Sequence, residues 1–195
     1  MGRIKATSGS ISASSQRMRV SHVALLSSAF VASGITLLWS KSDAALAVVP
    51  HVDLTRYQGK WYEIARLPTR FQRDCASDVT AQYTLQDDGK IEVLNACREA
   101  NGKLKRAKGI ARLRDKQGPN SKLKVRFFFF FSGDYWILDL DKGYKWVLVG
   151  TPNRRYLWIL SRTPELNPRI YNQLIAKARE LGFDVDRVIR TKQTT

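Results

Sequence analysis

Histidine is nearly missing from this chain. Of 195 residues only His22 and His51 are histidine, and both precede the strand-rich part of the sequence. No Ser-His or Cys-His nucleophile system can be built inside that part. No His/Cys cluster has metal-ligand spacing, and no glycine-rich phosphate loop occurs. Asp139 and Asp141 could be read as paired carboxylates, but their position beside a turn gives them a turn-flanking role. The expectation is no catalytic residue, no metal and no cofactor. Helical periodicity is also missing between the extended segments, which excludes a parallel βαβ architecture.

Acidic residues are absent from the first 42 positions, while Arg3, Lys5, Arg17, Arg19 and Lys41 are present. The stretch is rich in serine, and residues 20–39 are mostly apolar. Ala45-Leu46-Ala47 follows as a small-x-small site. This order of basic front, apolar run and cleavage site is that of a secretory signal peptide, cut after Ala47. The alternatives are a retained membrane anchor, since the run can just span a bilayer, and a Ser-rich plastid transit segment. The expected organisation is therefore a signal peptide over 1–47 and one folded domain over 48–195.

Without residues 1–47 the chain keeps 28 Lys and Arg against 16 Asp and Glu. A net charge of about +12 favours anionic partners. Two cysteines remain, Cys75 and Cys97. Export makes the compartment oxidising, so one disulfide is expected, with two reduced thiols as the alternative. Asp87-Asp88-Gly89 is a hairpin signal, and folding there brings Cys97 back towards the segment that holds Cys75.

The organising stretch is Gly59-Lys60-Trp61-Tyr62-Glu63-Ile64-Ala65-Arg66. From Trp61 neither alternating face is cleanly polar. Such a strand touches something on both sides, for example a barrel interior and a helix outside. Pro68 stops this strand at Leu67. Seven more follow: 79–85, 90–98, 105–114, 122–131, 135–140, 144–149 and 156–161. Asn101-Gly102, Gly118-Pro119-Asn120, Ser132-Gly133-Asp134, Asp141-Lys142-Gly143 and Pro152-Asn153 supply turns. On the fifth strand Leu123, Val125, Phe127, Phe129 and Phe131 share one face. Lys122, Lys124 and Arg126 share the other, which continues as Phe128 and Phe130. From Pro164 the period changes. Ile170, Leu174, Ala178 and Leu181 mark an amphipathic helix that Gly182 ends. Residues 185–189 are a last short extended piece. Eight antiparallel strands in a meander avoid open edges by closing into a barrel, with room for one small ligand. The fold class is all-β, an eight-stranded up-and-down barrel with one C-terminal helix packed outside.

At this point the chain resembles a lipocalin. The opening from Asp53 through Tyr57-Gln58-Gly59-Lys60-Trp61 is similar to the family's first signature, a short 3₁₀ turn leading to Gly-x-Trp. Asp141-Lys142-Gly143-Tyr144 stands at the second motif. Tyr156-Leu157-Trp158-Ile159-Leu160-Ser161-Arg162 resembles the third. The subgroup resembled is that of bacterial outer-membrane and apolipoprotein D-like lipocalins. The resemblance implies that Arg162 packs over Trp61 and closes the barrel floor. Gly59, Trp61, Tyr144 and Arg162 are the structural signature. Two departures stand out. There is no cysteine after the signal for lipid attachment, and Phe129-Phe130 replaces the subgroup's Gly-Pro pair.

The function expected is to bind and carry a small hydrophobic ligand, a fatty acid, lysophospholipid or similar lipid, in membrane maintenance or stress response. An isomerase or peroxidase on the same barrel is the alternative. Tyr83, Asn95 and Phe127 are expected to line the pocket from strand alternation. Trp136 and Leu138 enter from the resemblance, and Trp158 and Glu63 complete the set, Glu63 also as a structural partner for an interior Arg or Tyr. Phe128 and Phe130 are expected outside, facing a membrane or a second copy. Anionic lipid surfaces are the expected partner of the basic face. Nucleic acid is not, since the aromatics point inward and leave no stacking platform. The state is a monomer or homodimer, exported to the periplasm or outer membrane, with secretion or a plastid lumen as alternatives.

Overall fold

The structure, a computed structural model, describes residues 45–127 and 131–194. The leader residues 1–44 and Phe128, Phe129 and Phe130 lie outside the described residues, as do the expectations placed on them. A short α-helix α1 (Leu54–Tyr57) comes first, where the resemblance implies a 3₁₀ turn. Eight strands follow: β1 (Gly59–Arg66), β2 (Cys75–Leu85), β3 (Ile91–Glu99), β4 (Leu104–Leu113), β5 (Lys122–Phe127), β6 (Phe131–Leu140), β7 (Trp146–Gly150) and β8 (Leu157–Ser161). Then come α2 (Pro168–Glu180) and a two-residue strand β9 (Ile189–Arg190). Each of β1 to β7 pairs antiparallel with the next, and β1 pairs with both β2 and β8. That double pairing closes the barrel. β9 adds to the far end of β1 through Ala65 and Arg66.

The closed barrel with one helix outside agrees with the sequence. Several details differ, among them that Phe131 opens β6, opposite Phe127, instead of ending β5, and that β7 starts at Trp146 rather than Tyr144. Strand β2 begins at Cys75 rather than Val79. Ser132-Gly133-Asp134 is not a turn but lies in β6, opposite Arg126, Val125 and Lys124. The helix starts at Pro168, four residues after Pro164, because Asn167 caps it by accepting from the Arg169 amide at 2.8 Å. A proline in the first turn loses no helical hydrogen bond.

Two apolar layers share the strands, as alternation requires. The interior layer holds Trp61, Tyr83, Val93, Leu123, Ile137 and Val149, among others. The outer layer lies between the barrel and α2, and includes Ile64, Leu138, Leu148, Ile159, Leu174 and Ala178. Leu46 joins the outer layer, and the Val49 amide donates to the Ile137 carbonyl at 3.0 Å, so the segment before α1 lies along β6. Cys75 and Cys97 form a disulfide with their Cα atoms 5.6 Å apart.

The floor is closed by side chains. Trp61 is fully buried and donates its indole N–H to the Tyr57 carbonyl at 2.8 Å. The Arg162 guanidinium sits 3.9 Å over the Trp61 ring. It donates to the carbonyls of Arg56, Tyr57 and Gln58 at 2.8, 3.1 and 3.0 Å, and to Lys60 and Tyr144 at 3.0 and 3.3 Å. The first three are carbonyls that the end of a four-residue helix leaves without a partner inside the helix. Gly59 makes room for the guanidinium. Its φ of +97° is outside the range comfortable for side chains, and a Cβ there would stand 3.2 Å from Arg162 Nη1. Tyr144 completes the floor, accepting from the Asp53 amide at 2.8 Å with the Arg56 guanidinium 4.1 Å over its ring.

Arg162→Ala should therefore cost about 2–3 kcal/mol, the cation–π contact plus charge-assisted hydrogen bonds. Equilibrium urea unfolding would measure it. A loss below about 0.5 kcal/mol, the scale of an ordinary surface change, would show that the floor closes without it.

Candidate functional site: an apolar barrel cavity with a phenolic floor

Inside the barrel lies a cavity in two compartments. The inner one has a volume of about 80 Å³ and the outer one about 260 Å³. Phe71, Gln72, Val79, Asn95 and Phe127 line both, so the two form one path from the mouth inward. Tyr83, Val93, Val125 and Leu160 extend the inner wall. Cys75, Cys97 and Lys105 edge the outer one. Lys105 there pairs with Asp74 at 2.8 Å.

Each wall follows from register. Directly opposed residues of an antiparallel pair share a face. Ala81 faces Asn95, Tyr83 faces Val93, and Val93 faces Gly109, which faces Phe127. Glycine at 109 is what admits the Phe127 ring. A Cβ there would stand 2.7 Å from Phe127 Cδ1 and 2.8 Å from the Arg126 carbonyl oxygen.

The floor of the cavity is a cluster of three phenols from three elements: Tyr57 of α1, Tyr83 of β2 and Tyr135 of β6. The Tyr57 and Tyr135 hydroxyls are 2.6 Å apart, and the Tyr83 hydroxyl donates to that of Tyr135 at 2.9 Å. Burial disfavours the charged phenolate. It is the largest cause in all three, and pushes Tyr57 and Tyr135 well up. Tyr83 is pushed up to about 12, with the Glu63 carboxylate adding to the rise and the hydrogen bond to Tyr135 opposing it.

One wall carries a polar network centred on Glu63, in which Arg66 Nε alone is buried without a partner. Glu63 is 2% exposed. Its Oε1 accepts from Arg66 Nη1 at 2.8 Å and from the Thr191 hydroxyl at 2.5 Å, and its Oε2 accepts from Gln72 Nε2 at 2.7 Å. A bulge in β1 between Glu63 and Ala65 brings Arg66 round to it. Gln72 Oε1 accepts from the Trp158 indole at 3.1 Å. Gln72 is held by a 3₁₀ turn over residues 70–72, whose start the Thr69 hydroxyl caps by accepting from the Gln72 amide at 3.1 Å. Phe71 on the same turn stands over Tyr156 and Trp158, ring centres 5.7 and 6.3 Å away. The Asn95 side-chain carbonyl is buried without a partner.

Of the residues expected at the pocket, Glu63, Tyr83, Asn95, Phe127 and Trp158 line it. Trp136 and Leu138 do not; the structure places them on the opposite face, in the layer beneath α2. The reason is register. Leu123 points inward and faces Tyr135, while Lys122 points outward and faces Trp136. The Lys122 ammonium lies 4.4 Å over the Trp136 ring. Tyr135 therefore holds the inward place. It could have been found by carrying the alternation of β5 across the hairpin. Phe71 and Gln72 are also absent from the sequence reading, since their place depends on how the loop after Pro68 folds back. Asp141 has its turn role, accepting from the Gly143 and Lys145 amides at 3.0 and 3.1 Å. Among the described residues no group of three or more His, Cys, Asp or Glu could hold a metal ion.

The phenols predict a pH dependence. The unfolded chain ionises tyrosine near pH 10, below the folded values. Above about pH 10 the unfolded state has lost protons that the folded state retains, so stability falls as pH rises, and below it these groups add no slope. In an ultraviolet phenolate titration, three of the seven tyrosines should stay protonated until the protein unfolds. Full reversible titration of all seven near pH 10 in folded protein would contradict the buried cluster.

Residues 52–193 match the family model described as a lipocalin-like domain. The chain is 42% identical over 156 residues to temperature-induced lipocalin-1 of Arabidopsis thaliana, covering 76% of this chain and 83% of that protein. It is 42% identical over 147 residues to the outer membrane lipoprotein Blc of Vibrio cholerae, covering 74% and 85%. It is 32% identical over 153 residues to bovine apolipoprotein D, covering 75% and 79%. Among solved structures, lobster apocrustacyanin A1 superposes with a TM-score of 0.61 at 18% identity, covering 72% of this chain and 79% of that one, a likeness of fold.

Proposed function

This chain belongs to the lipocalin-like family, and from that premise we propose that its barrel binds and carries a small hydrophobic ligand, a fatty acid, lysophospholipid or similar lipid. The observation that carries the reading is the two-compartment cavity, sealed at one end by Trp61 and Arg162 and lined by Val79, Val93, Val125, Phe127 and Leu160. An acyl chain that enters it leaves water, and each buried methylene contributes about 0.8 kcal/mol. The protein is a carrier rather than an enzyme. In support, Glu63, Arg66, Gln72 and Trp158 along the wall are engaged with one another. Such a network holds shape and leaves little to act on a substrate.

The cargo fits a role in membrane maintenance or stress response. The protein is exported, to the periplasm or outer membrane, and its signal segment is residues 1–47. A cut after Ala47 would take Leu46 out of the layer beneath α2. The outer face of β4 and β5 contacts anionic headgroups. Arg112 there stands directly opposite Lys124, and Arg126 opposite Ile110. Like charges directly opposed repel, and an anionic surface relieves that repulsion.

Trp158 lines the cavity and Trp136 does not, which separates two signals. Titration with dodecanoate should change tryptophan emission in wild type and in Trp136→Phe, and not in Trp158→Phe. Asn95→Trp, which fills the wall shared by both compartments, should weaken binding at least about tenfold, since a ligand must then displace a packed ring. A folded Asn95→Trp protein with unchanged affinity would place the ligand elsewhere.

A further inference from the structure

The phenols on the cavity floor leave one hydrogen-bond donor over. Each hydroxyl carries one proton. Three protons serve two contacts, Tyr57 with Tyr135 at 2.6 Å and Tyr83 with Tyr135 at 2.9 Å. Tyr83 is the donor in its contact, so the spare proton belongs to Tyr57 or to Tyr135. Tyr57 is 1% exposed, packed against the rings of Trp61 and Tyr83, and lines neither compartment. A proton left there would be buried with no acceptor, which folded proteins avoid. Tyr135 is half-buried and lines the inner compartment. The favoured arrangement has Tyr57 and Tyr83 both donating to Tyr135. The Tyr135 hydroxyl then turns its own proton to the cavity.

Charge narrows what can accept that proton. Among the residues lining the inner compartment the charged side chain that faces it is the acid Glu63; Asp134 stands opposite Lys124 on the outer face and pairs with Arg114. Lys105 and Arg106 line the outer compartment. A carboxylate or phosphate at the floor would find no Lys or Arg lining the compartment, and the Arg66 guanidinium is already paired with Glu63 at 2.8 Å; an unpaired buried charge is costly. An uncharged oxygen meets no such penalty, and it satisfies the spare donor.

We infer that the inner compartment selects an uncharged oxygen: the ligand it takes is a largely apolar alcohol, ketone or ester that enters oxygen first and accepts a hydrogen bond from the Tyr135 hydroxyl. This rests on the carrier reading above and narrows it. A fatty-acid anion keeps its carboxylate at the mouth, near Lys105 and Arg106, and gains nothing from Tyr135.

Three probes of one chain length test it: dodecanol, dodecyl chloride and dodecanoate, each titrated by tryptophan emission against wild type and Tyr135→Phe. The variant should bind dodecanol about five- to tenfold more weakly than wild type, the worth of one hydrogen bond. Its affinities for dodecyl chloride and dodecanoate should not change. Tyr135→Phe also removes the acceptor of two phenols, so a thermal melt accompanies it. If the variant does not fold, Raman spectroscopy of wild type replaces it, since the tyrosine doublet reports whether a phenol donates or accepts. Dodecanol should shift the doublet and dodecyl chloride should not. A variant that weakens all three probes alike, or none, overturns the inference, as does a doublet that dodecanol leaves unmoved. Wild type that binds none of the three would instead sink the carrier reading, and this inference with it.

Discussion

The contact on which the rest depends is the Arg162 guanidinium on the Trp61 ring. A barrel of eight strands is open at both ends, and a carrier needs one end shut. Shutting it with a short helix leaves backbone carbonyls unpaired in a partly buried place. Arg162 answers that cost with one side chain. It stacks on Trp61 at 3.9 Å while donating to carbonyls of α1, β1 and the turn before β7. A lysine there would offer a point charge without the planar fork that spans them. The same contact ties the last barrel strand to the first, where the sheet has to close.

The closed floor then determines what the cavity can be. Trp61 fills the bottom, and the phenols of Tyr57, Tyr83 and Tyr135 form the next layer. Above them the walls are mostly aliphatic and aromatic, broken by Asn95 and by the Glu63–Gln72 pair, up to the mouth, where Phe71, Tyr156 and Trp158 stand together. Polarity is therefore graded along the barrel: neutral hydroxyls at the bottom, apolar walls between, and cations at the rim. Buried polar groups of this kind are tolerated only when their hydrogen bonds are made. In the Glu63 network both carboxylate oxygens have partners within the protein, while Arg66 Nε has none. The phenol cluster has one donor proton over, and the Asn95 carbonyl lacks a donor. Both lie on the ligand's path.

Strand number, order and closure were legible in the sequence because alternation and turn chemistry are local. The disulfide was an expectation from two cysteines and an export signal, and the Asp88-Gly89 hairpin brought their segments near, but register shifts in β2 that the sequence does not mark set the final pairing. The place of Arg162 came from resemblance, and its carbonyl partners could not be read because they come from three separate segments. Trp136 and Leu138 were misplaced for a different reason. Correspondence to relatives stood in for face parity, and the pairing of Leu123 with Tyr135 shows that parity was the better guide. Phe71 and Gln72 were out of reach, since a loop's fold-back is decided by a cap at Thr69 and by the barrel it folds onto. The bulge that turns Arg66 towards Glu63 was hidden likewise, because an inserted residue leaves no mark on composition.

Native mass spectrometry of protein purified without delipidation tests the central claim most directly. The account predicts a one-to-one complex of the folded chain with a lipid-sized molecule, released on collisional activation and recovered when lipid extract is added back. Bare protein alone, from lipid-replete cells and again after incubation with the extract, would contradict it.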